Sequence, residues 1–426
     1  MDSIQVEKSP PLHGEVQISG SKNAALPIMA AALLCDEPVV LGNVPDLADI
    51  HGMERLLCSM GGVTHYDSAA KRLSIDPSRV RWIEAPYDLV RKMRASFFVL
   101  GPLVGRHRHA RVSMPGGCAI GARPVNIHLK ALESLGVRIE VEHGYVVADG
   151  SKLRGGPVNL DFPSVGATEN ALCAAVLAPG ETVIENAARE PEVTDLADFL
   201  VAGGGKIEGQ GTSTIHVQGV DRLSVKSYPI IPDRIEAGTY LAAAALAGGE
   251  VRVRGCRQKD LTAFLADLRQ TGTELEVESQ GSLDDIVVRR SGPIQPISEV
   301  VTLPFPGFPT DLQAQMMAVL CLAEGASIVR ETIFENRFMH VSELNRMGAD
   351  ITINGNTAIV RGVKTLSGSP VMASDLRASA ALVISGLVAR GTTDILRVYH
   401  LDRGYEHIET KLAGLGAKVK RVRTGA

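Results

Sequence analysis

Aromatic residues are scarce in this sequence, making up 4% of its 426 residues with a single tryptophan, although hydrophobic residues reach 45%. The cores must therefore be aliphatic, and stacking platforms for single-stranded nucleic acid are not expected. The formal net charge is only -4, so there is no overall basic field to hold polyanions. These features argue against a nucleic-acid-binding protein and leave anion binding to local basic clusters.

Long apolar runs are also missing, because glycine or charge interrupts each one before it reaches membrane-spanning length. No export signal with a charged and then an apolar segment opens the chain. We expect a cytoplasmic protein with no membrane partner; the sequence leaves its oligomeric state open.

Cysteines are few and lack CxxC spacing, which argues against a zinc site and provides no disulfide framework. We expect neither a metal nor a cofactor. Cys35, Cys173 and Cys321 lie in apolar helical windows and are interpreted as packing residues. The six cysteines are Cys35, Cys58, Cys118, Cys173, Cys256 and Cys321.

Several catalytic signatures are absent as well. There is no GxxxxGK[ST] for a P-loop, no GxGxxG after a strand for a dinucleotide site, and neither GxSxG nor HExxH. These absences argue against P-loop nucleotide hydrolysis, dinucleotide-dependent chemistry, and the usual serine-hydrolase and zinc-protease sites.

Internal repetition is the strongest organisational signal. Six segments show apolar positions at helical spacing and end in a glycine, and these glycines lie 68 to 76 residues apart. Alanine-rich helices precede them, as at 23–34, 236–245 and 376–383, and short β-branched stretches flank them. The six segments are Leu47–Gly62, Val125–Gly136, Val193–Gly204, Leu261–Gly272, Phe338–Gly348 and Tyr405–Gly416.

Six units of about 70 residues predict an α/β fold with two domains of three units each, helices inside and sheets outside. Turn-rich segments at 19–22 and 228–234 are the candidate crossings between domains. We therefore expect one domain at 22–232, carrying the Cys118 loop, and a second made of 1–21 plus 233–426. The active site is expected in the cleft between them.

The segment from Ser113 to Asn126 carries the thiol of Cys118 among three glycines and two prolines, which exclude a regular helix or central strand. We interpret it as a loop able to close over a substrate. Arg123 and the start of the following helix can lower the pKa of a nearby thiol. A buried structural cysteine is the alternative.

Basic residues recur at predicted helix starts or loop ends, where backbone N–H groups help to bind anions. For any single member, a solvated surface charge or a cap partner is the alternative. Among the acidic residues in similar places, Asp311 follows an irregular segment and could act as a general base, whereas a helix cap is the alternative for each. The basic residues are Lys22, Arg94, Arg123, Arg234, Arg377 and Arg403; the acidic ones are Asp233, Asp311, Asp375 and Asp402.

Ten motifs, in order along nearly the whole chain, resemble those of the enolpyruvyl transferase family, in the branch whose acceptor is UDP-N-acetylglucosamine. The resemblance implies a two-domain inverse α/β barrel, each domain being three copies of one unit. The motifs are Ser19–Pro27, Met93–Ser96, Pro115–Pro124, Ser164–Thr168, Asn186–Glu192, Pro232–Glu236, Phe308–Asp311, Phe334–His340, Asp375–Ser379 and Asp402–Glu406.

The resemblance also implies the reaction: addition of the sugar 3-hydroxyl to phosphoenolpyruvate and elimination of phosphate, the first committed step of peptidoglycan precursor synthesis. It implies catalytic roles for Lys22, Asp311, Arg403 and Cys118, the last as general acid and site of a covalent adduct. The implied phosphoenolpyruvate-binding residues are Lys22, Asn23, Arg94, Arg123, Arg377 and Arg403. The implied UDP-N-acetylglucosamine-binding residues are Asn23, Arg94, Arg123, Pro124, Val125, Asn126, Ile127, Phe162, Pro163, Ser164, Val165, Asp311 and Ile333.

Phe162 departs from the pattern, because some family members carry lysine there; backbone groups would then have to serve the nucleotide. Two other functions stay open. One is transfer to shikimate 3-phosphate, against which stand the Cys118 loop and Asn23 after Lys22. The other is a non-catalytic UDP-sugar-binding regulator, against which stands the presence of a proton donor together with Lys22, Asp311 and Arg403.

Overall fold

The structure is a computed structural model that describes residues 2–91, 93–115 and 125–423. Within these ranges the chain forms 24 β-strands and 13 α-helices. The strands are β1 (Ser3–Glu7), β2 (Leu12–Gln17), β3 (Val39–Gly42), β4 (Val63–Asp67), β5 (Arg72–Asp76), β6 (Glu84–Ala85), β7 (His109–Ser113), β8 (Arg138–Glu142), β9 (Tyr145–Asp149), β10 (Pro157–Asn159), β11 (Glu181–Glu185), β12 (Lys206–Glu208), β13 (Thr214–Gln218), β14 (Ser227–Pro229), β15 (Gly249–Cys256), β16 (Glu274–Gln280), β17 (Leu283–Arg290), β18 (Glu299–Val301), β19 (Ala326–Arg330), β20 (Asp350–Asn354), β21 (Thr357–Arg361), β22 (Pro370–Met372), β23 (Thr392–Leu396) and β24 (Val419–Val422).

The helices alternate with these strands. They are α1 (Lys22–Ala31), α2 (Ala48–Ser59), α3 (Tyr87–Val90), α4 (Leu100–His107), α5 (Asn126–Ser134), α6 (Val165–Ala175), α7 (Pro191–Ala202), α8 (Arg234–Ala247), α9 (Thr262–Gln270), α10 (Gln313–Leu320), α11 (His340–Arg346), α12 (Leu376–Gly386) and α13 (Ile408–Gly414). Short 3-10 helices cover Ala32–Leu34, Arg94–Val99, Gln258–Asp260, Thr310–Leu312 and Val398–Arg403.

The strands form six four-stranded sheets with one shared topology. Each sheet has a parallel pair at one edge followed by two antiparallel pairs. The orders are β14-β3-β5-β4, β6-β7-β9-β8, β10-β11-β13-β12, β16-β17-β15-β2, β18-β19-β21-β20 and β22-β23-β1-β24. The expected mixed α/β fold of six repeated units is confirmed.

Contacts divide the described chain into two compact units. Of the described residues, those within 20–231 form the N-terminal unit. Residues 2–19 and 232–423 form the C-terminal unit. Each unit has three of the six sheets, and β1 and β2 at the start of the chain pair within the C-terminal unit. Each unit also has its own aliphatic core.

Helices buried on nearly every face fill these cores. In the C-terminal unit α8, α10 and α12 pack against one another, and every residue of α10 is buried. In the N-terminal unit α4 packs on α6, whose residues from Ala167 to Ala175 are all buried. The small residues of α8 and α12 permit this close approach, as the alanine-rich pattern at 236–245 and 376–383 predicted.

The six glycine-terminated segments are all helical, as α2, α5, α7, α9, α11 and α13. Five of the six predicted glycines have left-handed φ values between +83° and +96°, as helix ends require. After α2 the left-handed residue is Gly61, with φ +98°, one position before the predicted Gly62. No helix in the described ranges is both long enough and apolar enough to span a membrane.

Candidate active site

The first candidate residues of the N-terminal unit lie in the opening turn of α1. Ser21 caps this helix by accepting a hydrogen bond from the Ala24 N–H at 3.3 Å. Lys22 is the first helical residue, and its Nζ lies 3.5 Å from Oδ2 of the buried Asp49. Asn23 follows on the same turn and is half-buried. The turn therefore presents a lysine oriented by a carboxylate and, beside it, an amide.

Arg94 opens the 3-10 helix Arg94–Val99 and lies near α5. The proximity is visible in His128 of α5, whose pKa is lowered to about 3 by burial and, to a smaller extent, by Arg94. His128 Nδ1 lies 2.9 Å from Asn170 Nδ2. Just before His128, Val125 is buried, Ile127 is half-buried and Asn126 is exposed. The start of α5 thus adjoins the Arg94 cation.

Residues 162–165 form the turn that leads into α6. Ser164 caps the helix by accepting from the Ala167 N–H at 3.4 Å, and its own N–H donates to the Phe162 carbonyl at 2.6 Å. The Phe162 side chain is 42% exposed and brings no charge. What this turn offers an anion is backbone groups and the start of α6.

The main cluster of the C-terminal unit is centred on Asp311 in the 3-10 helix Thr310–Leu312. Asp311 Oδ1 accepts from Arg337 Nη2 at 2.7 Å, and Oδ2 accepts from Arg377 Nη2 at 3.1 Å. The two guanidinium side chains are only 6% and 4% exposed, whereas Asp311 is 26% exposed. One partly accessible carboxylate is thus oriented by two buried cations.

Each of these arginines keeps donor capacity, because Nη1 of Arg337 and Nη1 of Arg377 are buried without a hydrogen-bond partner among the described atoms. Burial alone lowers the pKa of Arg377, but Asp311, Tyr405 and Asp233 outweigh it and the net pKa is raised. The Arg377 guanidinium therefore stays charged. Unfilled buried donors are costly, and an anionic ligand would fill them.

The four acidic residues that the sequence placed near helix starts or loop ends divide into caps and ion-pair residues. Asp233 caps α8 by accepting from the Ile235 and Glu236 N–H groups at 2.8 and 2.9 Å. Asp375 caps α12 by accepting from Arg377 N at 2.8 Å and Ala378 N at 3.0 Å. Asp402, in contrast, accepts from the guanidinium of Arg421. Asp311 and Asp402 are therefore ion-pair residues and not caps.

The remaining candidates of this unit lie near chain turns. The Ile333 N–H donates to Glu331 Oε1 at 2.8 Å. Arg377 is the second residue of α12, and Arg234 is the first of α8. Arg403 ends the 3-10 helix Val398–Arg403 instead of starting a helix. Burial and, secondarily, Arg403 lower the pKa of His400, which shows that the Arg403 charge is close by.

Cys118, Arg123 and Pro124 lie outside the described residues. The other cysteines can be judged. Burial raises the pKa of Cys35 to about 11 and of Cys256 and Cys321 to about 12, and it also raises the pKa of Cys173 well above its usual value. Cys58 is exposed. The packing interpretation of Cys35, Cys173 and Cys321 is confirmed, and these thiols stay protonated at neutral pH.

Sequence reasoning missed Arg337, Glu331 and Asp49, which contact the candidate residues. Arg337 lies in the motif Phe334–His340, but its position along the chain gave no indication that it would contact a carboxylate 26 residues earlier. No cluster of three or more metal-ligating side chains occurs in the described part of the chain. The arrangement offers anion binding and proton acceptance.

Residues 6–412 match the family model described as EPSP synthase (3-phosphoshikimate 1-carboxyvinyltransferase). The chain is 56% identical over 421 residues to a Nitratidesulfovibrio vulgaris protein named UDP-N-acetylglucosamine 1-carboxyvinyltransferase, with 99% of each chain covered. A Maricaulis maris protein of the same name is 54% identical over 428 residues, with 100% of each chain covered.

Solved structures are similar as well. The enolpyruvyl transferase NikO from Streptomyces tendae superposes with a TM-score of 0.88 at 25% identity, covering 100% of this chain and 99% of that one. An EPSP synthase from Acinetobacter baumannii gives a TM-score of 0.77 at 16% identity, covering 99% of this chain and 100% of that one. At this identity the second similarity shows a shared fold only.

Proposed function

The chain belongs to the EPSP synthase family, and we propose that within it the chain is a UDP-N-acetylglucosamine 1-carboxyvinyltransferase. The observation that carries this assignment is full-length identity of 53–56% to relatives of that name, against 16% to an EPSP synthase of similar fold. The product would enter peptidoglycan precursor synthesis. Both substrates are small cytoplasmic metabolites, so we place the reaction in the cytoplasm.

The reaction needs two proton transfers. The sugar 3-hydroxyl attacks C2 of phosphoenolpyruvate while its proton leaves and another proton is added to C3; phosphate is then expelled as a proton is lost from C3 and the double bond re-forms. We assign acceptance of the hydroxyl proton to Asp311, whose carboxylate is partly accessible and oriented by two arginines. Delivery of the C3 proton is assigned to Cys118, following the family resemblance.

Holding phosphoenolpyruvate requires several cations, because its phosphate and carboxylate are both charged. We assign this to Lys22, Arg94, Arg123, Arg377 and Arg403. The Arg377 guanidinium supports its assignment, since one nitrogen is buried without a partner among the described atoms. Donors fixed before the reaction stabilise charge as it shifts to the leaving phosphate, each contributing on the order of several kcal/mol.

The UDP-sugar is assigned to the residues that the family resemblance implies. In the N-terminal unit these are Asn23, Arg94, residues 123–127 and the turn 162–165; in the C-terminal unit, Ile333 and Asp311. The exposed Phe162 side chain cannot pair with a phosphate, so the N-terminus of α6, capped by Ser164, is the anion-binding group at this turn.

An EPSP synthase activity is the second candidate, because the matching family model carries that description. A phosphate-release assay with phosphoenolpyruvate and each acceptor separates the two. We expect release with UDP-N-acetylglucosamine and none above background with shikimate 3-phosphate. The reverse result would overturn the assignment, and release with neither acceptor would favour a non-catalytic UDP-sugar-binding protein.

A further inference from the structure

We propose that Glu331 is a positioning residue that holds Asp311 in place for the reaction. The inference rests on the proposed function, because positioning matters only if Asp311 handles a substrate proton. Glu331 follows β19 and is 2% exposed. Its carboxylate accepts hydrogen bonds from Thr302, from the turn at Ile333 and from Thr310, which directly precedes Asp311 in the chain.

Four donors converge on this buried carboxylate. Oε1 accepts from Thr302 Oγ1 at 2.9 Å and from the N–H groups of Ile333 at 2.8 Å and Phe334 at 3.1 Å. Oε2 accepts from Thr310 Oγ1 at 2.8 Å. Charge-assisted bonds of this kind are shorter and stronger than neutral ones. Thr310, which adjoins Asp311, is therefore bonded to the same group as the turn at Ile333.

The contacts close into a ring. From Glu331 the path runs through Thr310 to Asp311, whose Oδ1 accepts from Arg337 Nη2 at 2.7 Å. The Arg337 guanidinium lies over the Phe334 ring, 5.3 Å from its centroid, and the Phe334 N–H returns to Glu331. Glu331 thus holds Thr310, the residue before Asp311, while Arg337 holds one oxygen of the Asp311 carboxylate and Arg377 the other.

Such rigidity has a chemical use. A misplacement of roughly 1 Å in a reacting group can lower turnover about 100-fold. The link between Glu331 and Asp311 depends on the Thr310 hydroxyl, since the other three donors bind parts of the chain that do not adjoin Asp311. Removing that one hydroxyl should loosen Asp311 and leave the rest of the Glu331 contacts intact.

The test compares Thr310→Val with Thr302→Val. Both remove a hydroxyl that donates to Glu331, and Thr302 Oγ1 also accepts from Thr332 N at 2.9 Å, so the control should lower the melting temperature at least as much. We expect kcat to fall about tenfold in Thr310→Val with the KM of phosphoenolpyruvate nearly unchanged. Thr310→Ser should restore kcat, and Thr302→Val should keep it within about twofold of wild type.

A double-mutant cycle shows whether Thr310 acts through Asp311. Asp311→Asn alone should lower kcat about 100-fold, and adding Thr310→Val should cost little more. Wild-type kcat in Thr310→Val, or a full further tenfold loss in the double variant, would overturn the inference. Both results require an active wild-type enzyme, so neither would contradict the proposed function. If the proposed function is wrong, the wild-type protein itself will be inactive in the assay.

Discussion

At the scale of single residues, the defining contact is Asp311 between Arg337 and Arg377. A carboxylate whose two oxygens each face a guanidinium has little rotational freedom. It is also partly accessible, whereas both arginines are buried. This combination suits a group that must meet a hydroxyl at one fixed angle, and it explains why we assign proton acceptance here.

Cys118 provides the residue-scale prediction. Replacing Cys118 with alanine should abolish turnover, because the proton for C3 has no donor, and should leave the UDP-sugar affinity within about threefold of wild type. Turnover by phosphate release and affinity by calorimetry measure the two effects. Undiminished turnover in this variant would refute the assignment of the acid.

A thiol-directed epoxide gives an independent check on the same residue. Cys35, Cys173, Cys256 and Cys321 are buried with raised pKa values, so they should react slowly. Exposed Cys58 is the internal control. Mass spectrometry should find the label mainly on Cys118, and labelling mainly on Cys58 would contradict the account.

The sequence located several site residues but not their partners. Asp311 and Arg377 stood out because of their local context, at an irregular segment and a helix start. That they form an ion pair across 66 residues depends on the packing of α12 against α10, the helix that follows Asp311, which no local pattern encodes. Glu331 gave no signal at all, since a glutamate after a strand is usually a solvated charge.

At the scale of elements, helix caps fix where the charged groups lie. Asp375 accepts from the N–H groups of both Arg377 and Ala378, so the cap and the arginine of the site share one turn. Asp375→Ala should cost about 1 kcal/mol of stability and also lower activity, because Arg377 loses its fixed turn. Asp375→Asn, which can still cap, is the matched control.

Thermal melts and the phosphate-release assay on both variants check this expectation. If Asp375→Ala melted like wild type, the cap would contribute nothing to stability. If Asp375→Asn lost as much activity as Asp375→Ala, the charge and not the cap would be what the site requires.

Element boundaries show what sequence patterns can and cannot predict. Asp350–Asn354, one of the β-branched stretches that flank the predicted helices, is a strand, because three consecutive β-branched residues lie there between glycine-containing turns. The segment predicted from Phe338 begins its helix at His340. Apolar spacing marks which face of a helix is buried, but it does not show where the first helical hydrogen bond forms.

At the scale of the whole molecule, repetition made the fold predictable. The glycines at the helix ends recur every 68 to 76 residues, and five of the six, with Gly61 in place of Gly62, are the left-handed residue that the turn after the helix requires. The pairing of β1 and β2 with strands some 240 to 420 residues later followed only from assuming that each of the six repeats is complete. Periodicity therefore predicted the number of repeats, and the strand pairing shows to which sheets β1 and β2 belong.

Both units bury a histidine, which predicts acid sensitivity. Burial lowers the pKa of His128 to about 3 and of His340 to about 4. The unfolded chain binds these protons near pH 6.5 and the folded chain does not. The stability that the two histidines contribute is therefore fully present above that pH and is lost as the pH falls toward 4. Each histidine should contribute at most about 1.4 kcal/mol per pH unit.

Denaturation midpoints measured between pH 7 and pH 4 test this expectation. His128→Gln and His340→Met should each show a shallower pH dependence than wild type, whatever their stability at pH 7. An unchanged slope in both variants would mean that other groups account for the acid sensitivity.

The most direct test of the central claim is acceptor choice by the purified chain. With phosphoenolpyruvate present, we expect phosphate release and a product heavier by one enolpyruvyl group when UDP-N-acetylglucosamine is supplied, and no release with shikimate 3-phosphate. Release with shikimate 3-phosphate but not with the UDP-sugar would contradict the assignment.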